Sequence, residues 1–198
     1  MTALNVAHFD ALYADEDPFG YRSRWYEQRK RDILLGALPY RLFEHGWEFG
    51  CSNGELTAAL GARCAALLGT DVSQQAVELA RVRVEQMHNV VLRQAAHPLQ
   101  WPEGSFDLIV FSEVGYYLDD QAFENTISRF AQSLSARGCL IACHWRHDFE
   151  GALRSAEQIH HALDNGLALP TLCTYQDADF LLQAWMAGPS IAQQERLR

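Results

Sequence analysis

The stretch Trp47-Glu48-Phe49-Gly50-Cys51-Ser52-Asn53-Gly54-Glu55-Leu56-Thr57 decides the fold. Apolar Trp47 and Phe49 flank an acidic Glu48 and read as a short strand. Gly50 and Gly54 stand where the backbone must bend sharply or admit a close neighbour. Helix-forming residues follow. A strand that runs through a glycine turn into a helix, at the start of a parallel sheet, is a nucleotide-binding arrangement. The next apolar run, 64–70, ends on Asp71. A carboxylate there can accept hydrogen bonds from both hydroxyls of a ribose.

Around this stretch, strand and helix patterns alternate. Helices are expected over 53–61, 72–86, 119–135 and 150–163, the last stopped by Asn165-Gly166. In the second of these Ala76, Leu79, Ala80, Arg83 and Val84 recur at helical spacing, and Ser73 is placed to cap it. Strands are expected over 47–49, 64–71, 89–94, 106–112 and 139–143, with a turn at Arg137-Gly138 before the last. The run Phe106-Asp107-Leu108-Ile109-Val110-Phe111-Ser112 is nearly all apolar, as a central strand covered on both faces must be. Runs at 172–175 and 179–185, joined by Gln176-Asp177-Ala178, predict a terminal antiparallel hairpin. Alternation of this kind gives an α/β fold, a parallel sheet with helices on both faces.

The first forty residues form a separate helical region. Residues 1–17 read as a helix or arm ending in a turn at Pro18, and 21–38 as a helix closed by Pro39. Trp25, Tyr26, Ile33, Leu34 and Ala37 make an apolar stripe, with Arg24, Arg29, Lys30 and Arg31 around it. Two readings follow. One is an amphipathic helix with a solvated basic face. The other is a lid, with Trp25 or Tyr26 on a ligand and Arg29 near its carboxylate. The expected organisation is a single domain, 1–198, with a helical lid at 1–40 and a Rossmann-like core at 41–198.

A net charge of −9 argues against general nucleic-acid binding, which needs clustered Lys and Arg. No run of 18 apolar residues appears, so a soluble, cytoplasmic protein without membrane contact is expected. The five cysteines, at 51, 64, 139, 143 and 173, form no CxxC and read as buried thiols of a reducing compartment. Cys139, Cys143, His144 and His147 do not suggest a metal site, because residues four apart on a strand lie far from one another. His160 and His161 fall on a helix and read as packing or surface residues.

Three chemistries compete for the turn at 50–54. It fails GxGxxG, since Ser52 and Glu55 stand at two of the required positions, and it lacks the GK[ST] of a phosphate loop, so an anionic pyrophosphate is not expected. It matches GxSxG, a hydrolase nucleophile elbow, with Ser52, Asp107 and His144 in the required order. Against that, the elbow would follow the first clear strand, and no HGG-type oxyanion loop precedes it. The third reading is an acidic–glycine loop in which Glu48 orients the turn and the backbone is approached by a ligand without phosphate.

With Glu48-Phe49-Gly50-Cys51-Ser52-Asn53-Gly54, Thr70-Asp71-Val72-Ser73 and the block Phe106 to Leu118, the sequence resembles class I S-adenosylmethionine-dependent methyltransferases, and within them the nodulation protein S (NodS) N-methyltransferases. The resemblance covers roughly residues 9 to 145 and includes Asp17-Pro18-Phe19-Gly20-Tyr21 and Trp25-Tyr26-Glu27. It implies a doubly wound sheet of seven strands, order 3-2-1-4-5-7-6 with strand 7 antiparallel. It implies S-adenosyl-L-methionine at Gly50, Cys51, Ser52 and Gly54, with Glu48, Phe49 and Ser73 beside it. It implies that Asp71 holds the ribose, that Val72 flanks the adenine, that Ala96-His97 cover it, and that Ser112 and Glu113 lie beside the methyl group. The family's usual acidic residue near position 96 or 97 is missing, and one glycine of the loop is Ser52. Catalytic candidates are Glu113 and His144. Substrate-binding candidates are Tyr21, Tyr116, Tyr117 and Trp145, the last able to stack on a sugar ring. The implied acceptor is nitrogen of a small molecule or amino sugar, the implied state a monomer or homodimer. An O-methyltransferase of small metabolites and the Ser52 hydrolase are the alternatives.

Overall fold

Strand β1 (Phe43–Phe49) lies between β2 (Cys64–Asp71) and β4 (Phe106–Ser112), all parallel. The structure, a computed structural model, describes residues 6–197; the rest of the expected N-terminal arm, 1–5, and residue 198 lie outside the described residues. β3 (Val90–Gln94) flanks β2, and β5 (Leu134–Trp145) flanks β4. The hairpin of β6 (Thr171–Gln176) and β7 (Phe180–Met186) completes a seven-stranded sheet of order β3-β2-β1-β4-β5-β7-β6. β7 runs antiparallel to both its neighbours. This is the order that the resemblance implied.

The helices are α1 (Val6–Leu12), α2 (Trp25–Ala37), α3 (Glu55–Gly61), α4 (Gln74–Arg83), α5 (Asp120–Ser133), α6 (Ala156–Leu167) and α7 (Ile191–Gln194). Side chains alternate across the strands, so each strand feeds both cores. Ile109, Phe111, Leu140 and Ala142 join Phe130, Ile159 and Leu163 under α5 and α6. Leu108, Val110, Ile141 and Cys143 join Leu34 and Leu60 under α2 and α3. No helix among the described residues is long and apolar enough to cross a membrane.

Three expected elements differ, the last of them at both ends. β1 begins at Phe43, ahead of the expected Trp47: Phe43 is buried in the core, and the Asp107 carboxylate accepts the Glu44 and His45 amides at 2.8 Å each. β5 begins at Leu134, so Arg137-Gly138 lies within the strand, where the register shifts. The segment 146–155 is a loop, because the reciprocal Ser155–Gln158 capping box starts α6 only at Ala156. Asn165-Gly166 does not end α6. A Cβ at Gly166 would lie 2.4 Å from Ile127 Cγ2, so that glycine serves close packing of α6 on α5. A 3₁₀ turn at Gly115–Tyr117, not foreseen in the sequence, links β4 to α5.

Candidate active site

The glycine turn after β1 is fixed by its backbone and by Asp71. Gly50 has φ +88°, and a Cβ there would come within 2.5 Å of Val114 Cγ2. Ser52 is left-handed too, at φ +49°. Its amide donates to Asp71 Oδ2 at 2.9 Å, while the Ser73 amide donates to Oδ1 at 3.0 Å. Burial pushes the Asp71 carboxyl up, and these amides oppose the shift. Glu48 accepts from Thr57 Oγ1 at 2.6 Å, tying β1 to α3 across the turn. Burial lifts it to about 8.

A cavity of about 410 Å³ opens along the carboxyl ends of β1, β2 and β4. Phe49, Gly50, Ser52, Asp71, Val72, His97, Ser112 and Glu113 line it, as do Tyr21, Tyr116, Tyr117 and Trp145. A smaller cavity of about 50 Å³ shares the wall at Gly50, Ser52, Ser112 and Glu113 and reaches Glu48 and Cys51. Tyr13 and Phe9 cover the larger cavity from the N-terminal side; the Tyr13 hydroxyl donates to Ser52 Oγ at 2.8 Å, and Phe9 packs edge-on to Tyr117. His97 is buried against Phe49 and Thr70 Oγ1, and burial takes it down to about 4, so its ring is neutral.

Glu113 is the focus of the far wall. Its φ of +59° is strained for a side chain of this size, and such strain concentrates at functional sites. Oε2 accepts the Tyr116 hydroxyl at 2.7 Å; that hydroxyl in turn accepts the Trp145 amide. Burial, with Glu113 adding to it, pushes the Tyr116 phenol far up, so it stays a donor. Oε1 meets Lys30 Nζ at 3.1 Å.

Several sequence candidates lie elsewhere. Trp25, at the exposed start of α2, is 69% exposed and off both cavity walls; its neighbour Tyr26 lines the larger one. Arg29 faces the β6–β7 hairpin, where it donates to Asp177 Oδ2 at 2.7 Å and to the Tyr175 hydroxyl. Gly54 is the N-cap of α3 at φ +84°, and a Cβ there would lie 2.8 Å from the Ala80 backbone, so it serves helix packing. Ser73 caps α4 and bonds Asp10. Ala96 is off the walls, with Ala95 and His97 on either side of it lining the cavity.

His144 is fully buried and off the cavity wall. The Gly115 amide donates to its Nε2 at 3.3 Å, which leaves Nδ1–H to donate to His160 Nε2 at 3.1 Å; His160 Nδ1–H then donates to Gln183 Oε1 at 3.0 Å. Burial pushes both rings down, His160 to about 4. With its only lone pair engaged, His144 cannot take a proton from an acceptor. The hydrolase triad is absent as well: Asp107 sits at the amino end of β4, opposite Ser52, and His144 is sealed off.

Sequence reasoning missed Glu27 and Lys30, which line both cavities. The signal was there: Glu27, Lys30 and Leu34 fall at i, i+3 and i+7, one face of α2. It was obscured because Lys30 sits in a basic run.

The sheet order, with a cavity at the glycine turn, is that of the class I methyltransferase architecture. A methyltransferase domain model matches residues 47–138. A crystal structure of a Pseudomonas syringae protein assigned as a methyltransferase is 44% identical, covers 82% of this chain and 99% of its own, and has a TM-score of 0.75. N-methyltransferase NodS from Bradyrhizobium japonicum WM9, in complex with S-adenosyl-L-homocysteine, is 27% identical, covers 91% and 97%, and has a TM-score of 0.79. Nodulation protein S of Sinorhizobium fredii is 30% identical over 140 residues, 67% of this chain. The chain spans 65% of the length of that curated relative. The protein belongs to the methyltransferase family, and within it resembles the nodulation protein S group.

Proposed function

We propose that the protein transfers a methyl group from S-adenosylmethionine to nitrogen of a small molecule or amino sugar. The observation that carries the reading is the Asp71–Ser52 tie at the wall of one cavity that continues to Glu113. The site fits the cofactor. The Gly50 cradle has no room for a side chain, Asp71 keeps lone pairs for ribose hydroxyls, and the aromatic wall suits a purine and a thioether. The nodulation protein S relatives support nitrogen as the atom methylated.

Asp71, Val72 and His97 hold the adenosine end, with Phe49 behind it. Gly50 and Ser52 lie beside the amino-acid end, towards Glu48 and Cys51 in the smaller cavity. When bound, the cofactor supplies an electrophilic methyl group on sulfur. Glu113 accepts an N–H of the acceptor and orients its lone pair, with Tyr116 and the Trp145 amide holding the carboxylate in place. Tyr21, Tyr117 and Trp145 wall the acceptor and exclude water, which favours an in-line displacement. Residues 1–40 act as the lid and 41–198 as the core. The enzyme works in the cytoplasm as a monomer or homodimer, consistent with five free thiols.

Calorimetry with S-adenosylhomocysteine on wild type and Asp71→Ala tests this. Micromolar binding, weakened by ~1–3 kcal/mol in the variant through orphaned hydrogen bonds, is expected. No binding to the wild type would overturn the reading.

A further inference from the structure

Among the described residues, Lys30 is the one basic side chain common to the walls of both cavities. It is 7% exposed on α2, and its Nζ lies 3.0 Å from Glu27 Oε2 and 3.1 Å from Glu113 Oε1. The rings of Tyr26 and Tyr21 face it at 5.1 and 6.0 Å. Burial alone would discharge it, but Glu113 and Glu27 outweigh burial and keep it charged. Of the neighbouring bases, Arg29 is engaged on the hairpin, Arg22 with Glu55 and Arg31 on the Tyr21 carbonyl, while Arg24 is exposed and lines only the larger cavity. Two carboxylates thus share one ammonium at the mouth of the smaller cavity, next to Gly50.

We infer that Lys30 reads the cofactor's α-carboxylate and that, in doing so, it exchanges its ion pair with Glu113 for one with the cofactor, so that cofactor loading releases Glu113 for the acceptor. The inference rests on the cofactor reading above. Three consequences of the geometry support it. An α-carboxylate entering beside Gly50 shares the smaller cavity's wall with Lys30, the one buried Lys or Arg among the described residues. One positive charge cannot neutralise three carboxylates, and Glu27, at i−3 on the same helix, is the partner whose spacing to Lys30 the helix itself sets. Glu113 is the partner on a different element and is therefore the one given up. Its Oε1, released, is the carboxylate oxygen not engaged by Tyr116 or the Trp145 amide. The cofactor therefore binds before the acceptor, and the acceptor site is incomplete until it does.

The test compares two ligands by calorimetry: S-adenosylhomocysteine, and 5′-methylthioadenosine, which carries the same nucleoside and thioether but no amino-acid arm. Lys30→Met is made in a Glu27→Gln background, so that no second carboxylate is left buried without its cation, and is compared with Glu27→Gln alone. It is expected to weaken S-adenosylhomocysteine at least tenfold and methylthioadenosine by less than twofold. Lys30→Arg is expected to restore most of the loss. Glu113→Gln, which removes the competing charge, is expected to tighten S-adenosylhomocysteine severalfold. Equal losses for both ligands, or none for either, would overturn the carboxylate assignment, and so would a selective loss in Arg31→Met instead. Unchanged affinity in Glu113→Gln would overturn the exchange. A wild type that binds neither ligand would instead sink the cofactor reading itself, a result distinct from all of these.

Discussion

The two rims of the sheet use polar groups in opposite ways. At the amino rim, side chains satisfy nearby backbone. Asp107 takes two amides of β1, Arg63 donates to the carbonyls of Leu35, Tyr40 and Arg41, and Asn89 donates to those of Gly61 and Cys64. At the carboxyl rim, Ser52 and Glu113 hold left-handed backbone, and Glu48, Asp71 and Lys30 are buried ionisable groups. Strain and buried charge destabilise a fold, and they are retained where a ligand is handled. The amino rim thus stabilises the fold and the carboxyl rim equips it.

The comparison breaks most directly at Gly50. With φ +88° and Val114 Cγ2 at 2.5 Å from an added Cβ, Gly50→Ala should lower S-adenosylhomocysteine affinity by about 100-fold, on the ~1–3 kcal/mol cost of a strained residue plus the overlap. Tight binding by this variant would show that the turn tolerates a side chain and that its strain is not functional. At the other rim, Arg63→Met should lower unfolding free energy by ~1–3 kcal/mol in urea, through three carbonyls losing their donor, with S-adenosylhomocysteine affinity within twofold of wild type. An affinity loss there would erase the division between rims.

Glu48 sharpens the comparison through pH. Burial lifts its folded pKa to about 8, above the usual 4.5, so its protonated form favours the fold fully below pH 4.5, and that contribution is lost as pH rises through 8. Glu48→Gln should therefore melt close to wild type at pH 5 and higher, by about 3 °C or more, at pH 9. A gap of equal size at both values would place the cause outside titration. The smallest effects belong to α2's outer face. Trp25→Ala and Arg29→Met should leave S-adenosylhomocysteine affinity unchanged, with Arg29→Met lowering the melting midpoint by at most about 3 °C through its pair on the hairpin.

The glycine turn, Asp71 and the apolar β4 were legible because each is a local rule. A turn needs left-handed backbone, a strand end carries a carboxylate, and a strand covered on both faces is continuously apolar. Helix α2 was legible as an amphipathic stripe, but not the burial of Lys30 on its inner face. Arg29 and Lys30 are adjacent, and one step along a helix turns a side chain by about 100°. That rotation sends Arg29 to the hairpin and Lys30 into the cavity. Trp25 and Tyr26 divide in the same way, one to solvent and one to the wall. His144 has the residue type and strand position of a base. Its role was set instead by the Gly115 amide, which occupies its lone pair and comes from a turn with no clear sequence signal.

Residue pattern by itself determined the alternation of strands and helices, the terminal hairpin, the glycine turn after β1 and the carboxylate at the end of β2. These follow from periodicity, backbone freedom at glycine, and chemistry that acts within a few residues. Tertiary structure alone decided which charged groups are buried together. Glu27, Lys30 and Glu113 become one cluster only when α2 packs over the end of β4, and His144, His160 and Gln183 only when α6 and β7 close on β5. Burial and long-range contact convert ordinary ionisable residues into a site, and neither is written in local sequence.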